Sequence, residues 1–351
     1  MDFLWDLEDD ILLFGMNGRI FKDKTILITG GTGSFGSFFV KKILQYKPRK
    51  IIIFSRDEDK QYWLQNELKN DIKRLRFVIG DVREKASLLK TMRIGVDILI
   101  HAAALKQIPS TEYNIIEAVK TNILGAQNVV DASIEAGVGK VLSISTDKAV
   151  EPVNVMGMTK ALQERIFILG NKQAKQTKFA SVRYGNVVAS RGSVIPLFKK
   201  QIEEGGPVTV TDKRMTRFIF TLSQATELVF NALDNMVGGE IFIPKIRPLK
   251  VFDLAQVMVN ELQPKNKNIK EIGIRSGEKL HETLISPIES LRSVRKRKFY
   301  VILPQIELKD IGFTYKTNVI RKRQFRYASD TGPFITKSEI KKILKDEGLL
   351  N

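Results

Sequence analysis

The chain alternates short apolar runs with longer amphipathic stretches between about residues 25 and 245. The short runs are apolar at consecutive positions, which is typical of parallel strands that are covered on both faces. They predict seven strands, at Thr25–Thr29, Lys50–Phe54, Leu75–Ile79, Ile98–His101, Lys140–Ser145, Phe179–Tyr184 and Glu240–Ile243. The stretches between them predict helices, among them Phe35–Gln45, Glu112–Ala136, Lys160–Gly170 and Ser223–Asn235. This repetition predicts the α/β class with a doubly wound parallel sheet.

The pattern becomes less regular and more basic after about residue 247, with an irregular stretch at Glu289–Asp310. We therefore predict three parts: an N-terminal arm at 1–24, a core domain at 25–185 and 216–246, and a smaller, interleaved C-terminal region at 186–215 and 247–351. The arm opens with acidic residues and has one short apolar run, Ile11–Met16, which is not the pattern of a signal peptide. We expect the arm to dock on the body of the protein or on a neighbouring subunit.

A glycine-rich segment, Thr29–Gly36 (TGGTGSFG), joins the first predicted strand to the first predicted helix. Glycine permits the tight turn, lets the backbone approach a pyrophosphate, and lets the helix pack closely on the sheet. The helix N-terminus offers its free N–H groups to the same anion. The segment therefore predicts a Rossmann dinucleotide site. The expected cofactor contacts here are Gly30, Thr32, Gly33, Ser34, Phe35 and Gly36.

The end of the second strand decides which dinucleotide fits. Ser55 and Arg56 stand there and Lys60 follows one turn later, so cations occupy the place of a 2′-phosphate. This favours NADP over NAD, and Asp57 is better explained as the cap of the next helix. We interpret His101, at the end of the fourth strand, as a packing residue. Further cofactor contacts are expected at Asp81, Val82, Ala102, Ala103 and Ala104.

Composition narrows the chemistry further. The chain has no Cys and two His among 351 residues, so disulfides, Cys–zinc sites, thiolate nucleophiles and iron–sulfur clusters are excluded, and no metal site is predicted. No apolar run of about 18 residues occurs, so no membrane-spanning helix is predicted. The absence of Cys fits a reducing compartment, and we expect a cytoplasmic protein.

The formal net charge is +18, and the densest basic runs are Arg295–Lys298 and Arg321–Arg323. Such a charge attracts polyanions. A nucleic-acid binder would carry aromatic platforms or a helix-turn-helix beside these runs, and the sequence shows neither. We therefore expect a basic face that attracts a phosphorylated substrate, and no nucleic-acid partner.

The fifth strand ends in Ser145-Thr146-Asp147-Lys148, and Met156 and Lys160 follow. With the glycine segment, these residues make the chain resemble the extended short-chain dehydrogenases/reductases, and within them the UDP-N-acetylglucosamine 4,6-dehydratases of surface-polysaccharide synthesis. The resemblance extends from Lys24 to about Ile343. It also rests on the motifs FSRDEDKQ (54–61), GDVRE (80–84), HAAALKQIP (101–109), KTNILGAQNV (120–129), STDKAVEPVNVMGMTK (145–160), RYGNVVASRGSVIPLF (183–198), TDKRMTRF (211–218) and IGIRSGEKLHE (272–282).

The resemblance implies a cycle in which NADP takes hydride from C4 of the sugar, water leaves across C5 and C6, and the hydride returns to C6. In this cycle Lys148 removes the C5 proton, Asp147 protonates the departing 6-hydroxyl, Thr146 binds the C4 oxygen and Lys160 holds the nicotinamide ribose. Lys148 would act as a neutral amine and Asp147 as a protonated carboxyl, which requires shifted pKa values. Met156 stands at the usual Tyr position, as in a subset of active relatives. Because Met cannot transfer a proton, the acceptor of the C4 hydroxyl proton stays unassigned.

The resemblance also implies how the substrate, UDP-N-acetylglucosamine, is held, mostly by the region at 186–215 and 247–351. Arginines supply forked donors for phosphate oxygens, and a glutamate can accept from ribose hydroxyls. The tail FRYASDTGPFITKSEI (325–340) resembles the capsule-type members that invert C5. The family further implies a homo-oligomer of helix-paired dimers, up to a hexamer. The expected substrate contacts are Lys106, Asn186, Arg191, Ser193, Arg217, Arg275 and Glu278.

Two other functions stay open. A UDP-sugar 4-epimerase of the same superfamily would oxidise and re-reduce C4 and would need no Asp–Lys pair. A non-catalytic NADP-binding protein would account for the missing Tyr. Incubation with UDP-N-acetylglucosamine separates the three, because the dehydratase product loses one water, the epimerase product keeps the mass of the substrate, and the binding protein changes nothing.

Overall fold

A nine-stranded, mostly parallel sheet forms the centre of the computed structural model, which describes residues 18–188, 190, 192–262, 268–308 and 324–350. All strands of the protein are numbered together in chain order, and those outside this sheet are given below. The strands of the central sheet are β1 (Thr25–Thr29), β2 (Lys50–Ser55), β3 (Leu75–Ile79), β4 (Ile98–His101), β5 (Lys140–Thr146), β6 (Lys178–Tyr184), β10 (Ile241–Pro244), β14 (Ser293–Arg295) and β15 (Phe299–Ile302). They lie in the order β14-β15-β10-β6-β5-β4-β1-β2-β3. In this order, the strands between β10 and β3, both included, run parallel to one another. The order β3-β2-β1-β4-β5-β6 is that of the Rossmann fold, so the predicted fold class is confirmed.

Helices cover both faces of this sheet, which explains why its strands are apolar throughout. Ile26 and Ile28 of β1 pack with α1 (Ser34–Leu44) and α9 (Leu222–Asn235). Leu27 points to the other face and packs with α3 (Lys85–Met92) and α6 (Gly125–Glu135). The remaining helices are α2 (Glu58–Glu67), α4 (Ile108–Tyr113), α5 (Ile115–Ala118), α7 (Val155–Gln173), α8 (Val194–Glu203), α10 (Val251–Leu262), α11 (Pro287–Ser290) and α12 (Lys337–Asp346).

A smaller region has its own apolar core, to which α8, α10 and α12 contribute Phe198, Met258 and Ile340. One three-stranded sheet belongs to this region, and two strand pairs complete the fold. Their strands are β7 (Asn186–Val187), β9 (Thr216–Phe220) and β11 (Pro248–Lys250), then β8 (Val208–Val210) with β12 (Ile269–Glu271), and β13 (Thr283–Ile285) with β16 (Tyr327–Ala328). These segments alternate along the chain with those of the central sheet.

Two segments lie on the other side of the predicted domain boundaries. β9, which we placed in the core domain, pairs with β7 and β11. The stretch we read as irregular contains β14 and β15, which extend the central sheet as antiparallel strands. None of these strands was predicted from the sequence, and the sheet that such a segment joins depends on long-range topology. The other domain boundaries stay predictions.

The helix predicted at Glu112–Ala136 is broken in the structure. α4 ends at Tyr113, Asn114 leaves the helical region with φ of −126° and ψ of 53°, and α5 begins at the next residue. A π-helical turn at Val119–Leu124 then leads into α6. Such turns are rare and are often found at functional sites.

The described end of the predicted N-terminal arm docks on the body of the protein. Gly18–Phe21 form a 3-10 turn, and the buried ring of Phe21 contacts those of Phe39, Tyr46 and Phe230. Residues 1–17 of the arm lie outside the described residues. None of the helices in the described part of the chain combines the length and apolar character that a membrane span requires.

Candidate active site

The turn between β1 and α1 has the shape that a dinucleotide pyrophosphate requires. Gly30 has a φ of 67°, a left-handed conformation that favours glycine, and its N–H donates to the Phe54 carbonyl at 2.8 Å. A Cβ atom on Gly36 would lie 2.5 Å from the Gly30 carbonyl oxygen, so a larger residue would push α1 off the turn. The N-cap residue of α1 is Gly33, which has no side chain to bond the first N–H groups, as expected of a helix end that binds an anion.

A cavity of about 730 Å³ extends from this turn along the carboxyl ends of the parallel strands. Open α/β sheets bind their ligands at this edge. Every residue predicted to contact the cofactor lines the cavity, namely Gly30, Thr32, Gly33, Ser34, Phe35, Gly36, Ser55, Arg56, Lys60, Asp81, Val82, Ala102, Ala103, Ala104 and Lys160. The fold therefore gathers residues from four strand ends and α7 into one site.

The cations predicted to select the cofactor stand at the end of β2. Arg56 and Lys60 are about half exposed and line the cavity. Asp57 caps α2, as predicted, because its side chain accepts from the Lys60 N–H at 2.9 Å, and it also pairs with the Lys60 ammonium. The sequence placed Ser55 among the residues at the 2′-phosphate. In the structure its hydroxyl is buried and accepts from Gln61 Nε2 at 3.0 Å. Arg56 and Lys60 are therefore the better candidates for a phosphate contact.

His101 is a packing residue, as its position at a strand end predicted. Its Nδ1 bonds the Thr29 hydroxyl at 2.8 Å, and its ring stacks on Phe167 with centroids 5.7 Å apart. Burial, with the nearby Lys160, lowers the pKa of His101 to about 3. The ring is therefore neutral at physiological pH and has no part in proton transfer there.

β5 ends in three connected polar side chains. Thr146 is the last strand residue, and Asp147 and Lys148 begin a short 3-10 turn. The Thr146 hydroxyl and the Lys148 ammonium both donate to Asp147 Oδ1, each at 2.9 Å. Thr146 and Lys148 line the cavity, whereas Asp147 is 0% exposed and is not part of the described wall. Asp147 is therefore connected to the cavity through its two neighbours, and not directly as we had expected.

Lys148 is charged in this arrangement. Burial acts to lower its pKa, but the carboxylates of Asp147 and Glu282 outweigh burial, and the pKa of Lys148 is raised above the usual lysine value. The neutral amine expected from the sequence is therefore not the resting state. The sequence places Asp147 beside Lys148, but only the fold brings a second carboxylate to it.

Glu282 is a candidate functional residue that the sequence analysis did not single out. It is 2% exposed and lines the cavity, with Oε1 3.6 Å from Lys148 Nζ and 3.9 Å from Arg217 Nε. Its Oε2 is buried and has no hydrogen-bond partner among the described residues. Burial raises the pKa of Glu282, and Lys148 only partly offsets this. The motif IGIRSGEKLHE contains Glu282, so its second glutamate could have drawn attention to it.

The first two turns of α7 carry Met156 and Lys160, and both residues line the cavity. The side chain of Asn154 caps the helix and so fixes its start. Lys160 Nζ donates to the Ile144 carbonyl at 2.6 Å and to Gln163 Oε1 at 2.7 Å. Burial lowers the pKa of Lys160 to about 7, so this amine titrates in the neutral range.

The predicted substrate contacts that the structure describes all line the same cavity: Lys106, Asn186, Ser193, Arg217, Arg275 and Glu278. Arg191 lies outside the described residues. Ser193 stands at the N-terminus of α8, and its buried hydroxyl has no partner among the described groups. A helix N-terminus with a free hydroxyl suits a phosphate. Asn186 Oδ1 accepts from Lys148 Nζ at 3.4 Å, which places it beside the polar group at the end of β5.

Arg217 differs from its predicted role as a phosphate ligand. Its Nη atoms donate to the backbone carbonyls of Thr216, Lys279 and Leu280 at 2.7–3.1 Å. The guanidinium therefore fixes the segment that leads to Glu282. This use of Arg217 depends on a close approach of two distant segments, which the sequence does not show.

The π-helical turn supplies two residues that sequence reasoning missed. Thr121 lines the cavity, and its buried hydroxyl has no partner in the described part of the chain. Asn122 bonds both backbone groups of Leu105, at 2.8 and 2.9 Å, and the Thr159 hydroxyl at 3.0 Å. It therefore ties the loop that carries Lys106 to α7. The continuous helical pattern of this stretch concealed the turn.

The strand order, the glycine turn and the polar groups at the end of β5 define a Rossmann protein of the extended short-chain dehydrogenase/reductase type. A family model described as "Polysaccharide biosynthesis protein" matches residues 26–304. The chain belongs to this family.

Named relatives and a solved structure agree with this membership. The chain is 47% identical to "UDP-N-acetylglucosamine 4,6-dehydratase (inverting)" of Campylobacter jejuni, over 90% of this chain and 95% of that protein. It is 46% identical to "UDP-glucose 4-epimerase" of Rickettsia akari, over 76% of this chain and 79% of that protein. The X-ray structure of Pen from Bacillus thuringiensis superposes with a TM-score of 0.87 at 38% identity, over 94% of this chain and 99% of that chain. The predicted resemblance to the inverting dehydratases is confirmed.

Proposed function

We propose that the chain is a UDP-N-acetylglucosamine 4,6-dehydratase, which forms a UDP-2-acetamido-2,6-dideoxy-4-keto-hexose with inversion at C5 for a surface polysaccharide or glycan. The observation that carries this proposal is the Thr146–Asp147–Lys148 group beside the dinucleotide cavity. Loss of water needs a base for the C5 proton and a group that stores a second proton, and these residues supply both. Similarity to the inverting enzyme of C. jejuni supports the substrate and the stereochemistry.

The residues of the cavity fit NADP as the cofactor. The glycine turn admits a pyrophosphate, and Arg56 and Lys60 stand where a 2′-phosphate would lie. When bound, the nicotinamide supplies reversible hydride transfer. Lys160, held by the Ile144 carbonyl on the cavity wall, would bind the nicotinamide ribose. NAD lacks the phosphate and would gain nothing from the two cations.

The hydrogen bond from Thr146 to Asp147 gives the C4 hydroxyl proton a route that needs no tyrosine at position 156. Burial raises the pKa of Tyr184, the one tyrosine on the described cavity wall, which makes it a poor proton acceptor. A sugar hydroxyl against Thr146 Oγ1 can pass its proton to that oxygen while Thr146 passes its own to Asp147 Oδ1, 2.9 Å away. The buried carboxyl then stores the proton one hydrogen bond from the cavity.

The stored proton closes the balance of the reaction. Oxidation at C4 releases one proton from the hydroxyl, and departure of the 6-hydroxyl as water consumes one. Asp147 can therefore return to the leaving group what it took from C4, through the same Thr146 hydroxyl. Lys148, on the cavity wall, removes the C5 proton between these two steps. A solvent-derived proton is added to C5 when the hydride returns to C6, so the sugar has lost one water and the cofactor is unchanged.

The test is incubation with UDP-N-acetylglucosamine and NADP in heavy water. We expect a product that has lost one water and carries solvent deuterium at C5, with no net reduction of the cofactor. Lys148→Ala should bind NADP and form no such product. An isobaric sugar would instead identify an epimerase, and an unchanged sugar would leave only a binding protein.

A UDP-sugar 4-epimerase is the second candidate, and the 46% identity to the R. akari protein of that name favours it. Oxidation and re-reduction of C4 would use Thr146 and the cofactor, but would leave Lys148 and its carboxylates without a task. The dehydratase accounts for more of the site, and we therefore prefer it.

A homo-oligomer of paired dimers and a cytoplasmic location stay predictions. Exposed apolar side chains on α5 and α7, among them Ile116, Leu162 and Leu169, supply surface for such a helix pairing. Analytical ultracentrifugation tests the assembly directly. A monomer at micromolar concentration would contradict it.

A further inference from the structure

Lys148 is held by two carboxylates, and the proposed cycle uses only one of them. Lys148 Nζ is 2.9 Å from Asp147 Oδ1 and 3.6 Å from Glu282 Oε1. Asp147 stores the proton of the C4 hydroxyl. Glu282 has an ion contact but a buried Oε2 without any hydrogen-bond partner in the described chain, and such a carboxylate is costly to keep. Its presence on the cavity wall therefore needs a function.

Lys148 cannot remove a proton from C5 while it is an ammonium ion. The ammonium must first lose a proton, and because its side chain is only 15% exposed, an acceptor in the protein is nearer to it than bulk solvent. Asp147 cannot serve at that moment, because it already carries the proton from C4. Of the carboxylates that the structure describes within ion-pair distance of Lys148 Nζ, Glu282 is the one that remains.

We propose that Glu282 takes this proton and is the positioning residue that turns Lys148 into the base of the reaction. The N–H bond at Lys148 Nζ breaks, an O–H bond forms on the Glu282 carboxyl, and no electrons are exchanged. The neutral amine then accepts the C5 proton. Lys148 releases the C5 proton to solvent when the product leaves, and Glu282 then returns its own proton to Lys148. The inference rests on the proposed function, because it needs a sugar whose C5 proton has been made acidic.

The backbone of Glu282 is fixed where the side chain can reach Lys148. The Glu282 N–H donates to Ser329 Oγ at 2.8 Å, and its carbonyl accepts from the Ser329 N–H at 2.7 Å. These bonds lie at the start of the β13–β16 pair. The backbone that carries the carboxylate is thus fixed by bonds that do not depend on its contact with Lys148.

The charged groups around Glu282 suit a proton acceptor. Asp147 and Lys148 face it from the end of β5, Arg217 from β9, and Lys279 from its own segment. Lys279 Nζ donates to a backbone carbonyl at 2.6 Å, and the Nη atoms of Arg217 are likewise used by carbonyls. Both cations are therefore near Glu282 without bonding its oxygens. Burial raises the pKa of Glu282, which increases its affinity for a proton.

Glu282→Gln keeps the shape of the side chain and removes its ability to accept a proton. At neutral pH we expect kcat for dehydration to fall by about 100- to 1,000-fold, in the range of general base effects. Oxidation at C4 does not use Glu282 and should continue. Reduced cofactor should then accumulate in a single turnover, followed by its near-ultraviolet absorbance, while deuterium uptake at C5 is lost together with elimination.

The pH profile distinguishes proton transfer from a structural role. The wild-type kcat should be level at neutral pH and fall on the acid side as Glu282 becomes protonated, above the usual glutamate range because its pKa is raised. In Glu282→Gln, Lys148 must lose its proton to solvent, so kcat should rise about tenfold per pH unit towards alkaline pH. Glu282→Asp keeps a carboxyl and should keep the level profile.

Glu135→Gln is the matched control, because Glu135 is exposed on α6 and pairs with Lys85 at 3.1 Å, away from the cavity. It should show the wild-type rate and profile.

The inference is overturned if Glu282→Gln dehydrates at the wild-type rate, or loses C4 oxidation and elimination in equal proportion at every pH. If Glu282→Gln does not fold, as judged by circular dichroism, Glu282→Asp decides: a level profile supports the inference and an alkaline rise overturns it. A wild-type chain that forms no dehydrated sugar refutes the proposed function first, and the inference with it.

Discussion

Single side chains at the end of β5 are arranged so that a proton can leave the cavity without a tyrosine. Thr146 and Lys148 both donate to one oxygen of Asp147, and its other oxygen is buried without a partner among the described residues. Asp147 is therefore one hydrogen bond from the cavity through either neighbour, which is the geometry that a proton relay requires.

Thr146→Val tests the route through the hydroxyl. The variant keeps the branched shape but removes the oxygen between C4 and Asp147, so kcat should fall by about 100- to 1,000-fold. Unlike Glu282→Gln, it should slow C4 oxidation itself, measured as reduced cofactor in a single turnover. Thr146→Ser keeps the hydroxyl and should keep most of the rate. Normal C4 oxidation in Thr146→Val would refute the route.

Arg56→Ala tests the choice of cofactor. Loss of one charge-assisted contact to the 2′-phosphate should raise the Kd for NADP by about tenfold or more. The Kd for NAD should change little, because NAD has an uncharged hydroxyl at this position in place of the phosphate. Fluorescence titrations with the reduced forms measure both constants. An equal loss for the two cofactors would show that Arg56 contacts a part they share.

Thr146, Asp147, Lys148 and Met156 could be singled out from the sequence because they stand in one segment, 145–160, whose motif resembles a known family. Glu282 could not be assigned in this way, since its contact with Lys148 exists only after β13 has docked near β5. The prediction that Lys148 is a neutral amine at rest was wrong for the same reason. A pKa is set by every group that packs nearby, and such groups come from distant parts of a chain.

At the scale of elements, a buried ion cluster ties α7 and α11 to β6. Arg183 is 1% exposed and donates to both oxygens of Glu164, at 3.0 and 2.7 Å, and to both oxygens of Glu289, at 3.0 and 2.8 Å. Burial acts to raise the pKa of Glu289, but the guanidinium outweighs it and holds the pKa at about 2. The cluster fixes α7, and with it Lys160, against the sheet.

Arg183→Met should destabilise the protein by about 3–5 kcal/mol at neutral pH, because it leaves two buried carboxylates without their cation. Urea unfolding measures the change. In the wild type, the stabilisation from Glu289 is present above the unfolded pKa of about 4.3 and is lost as the pH falls towards about 2. The difference between variant and wild type should therefore shrink in acid. A loss below about 1 kcal/mol at neutral pH would contradict the role given to this cluster.

The seven predicted strands could be placed closely, whereas the strands outside that repeat, such as β9 and β14, were not predicted. β1, β3 and β4 have the predicted bounds because each is an apolar run that ends in polar or glycine residues. The partners of β9 and β14 depend on which edge is free once the rest of the chain has folded. The π-helical turn before α6 also escaped prediction, since it preserves the apolar spacing of a continuous helix.

At the scale of the whole molecule, the chain has a formal net charge of +18, and its cavity would receive two anionic ligands, a dinucleotide and a nucleotide sugar. The Rossmann fold class and the place of the dinucleotide site could be predicted, because the glycine segment and the strand repetition are local patterns. The meeting of residues 146–148 with residue 282 was not, because it joins the ends of segments far apart in the chain. The electrostatic attraction due to the net charge acts over longer distances than any of these contacts. We therefore expect a separate effect of ionic strength.

Raising the ionic strength should weaken capture of the nucleotide sugar and leave the chemistry unchanged. Between about 0.01 M and 0.15 M salt the Debye length falls from about 30 Å to about 8 Å, so the field of the whole molecule is screened outside the cavity. The contacts of Lys148 with Asp147 and Glu282 are buried and 2.9–3.6 Å long, and salt screens them little. Initial rates should therefore show KM rising several-fold while kcat stays level. A kcat that falls with salt at constant KM would mean that the proton-transfer group is open to solvent during turnover, and that its buried pairing does not persist in the working enzyme.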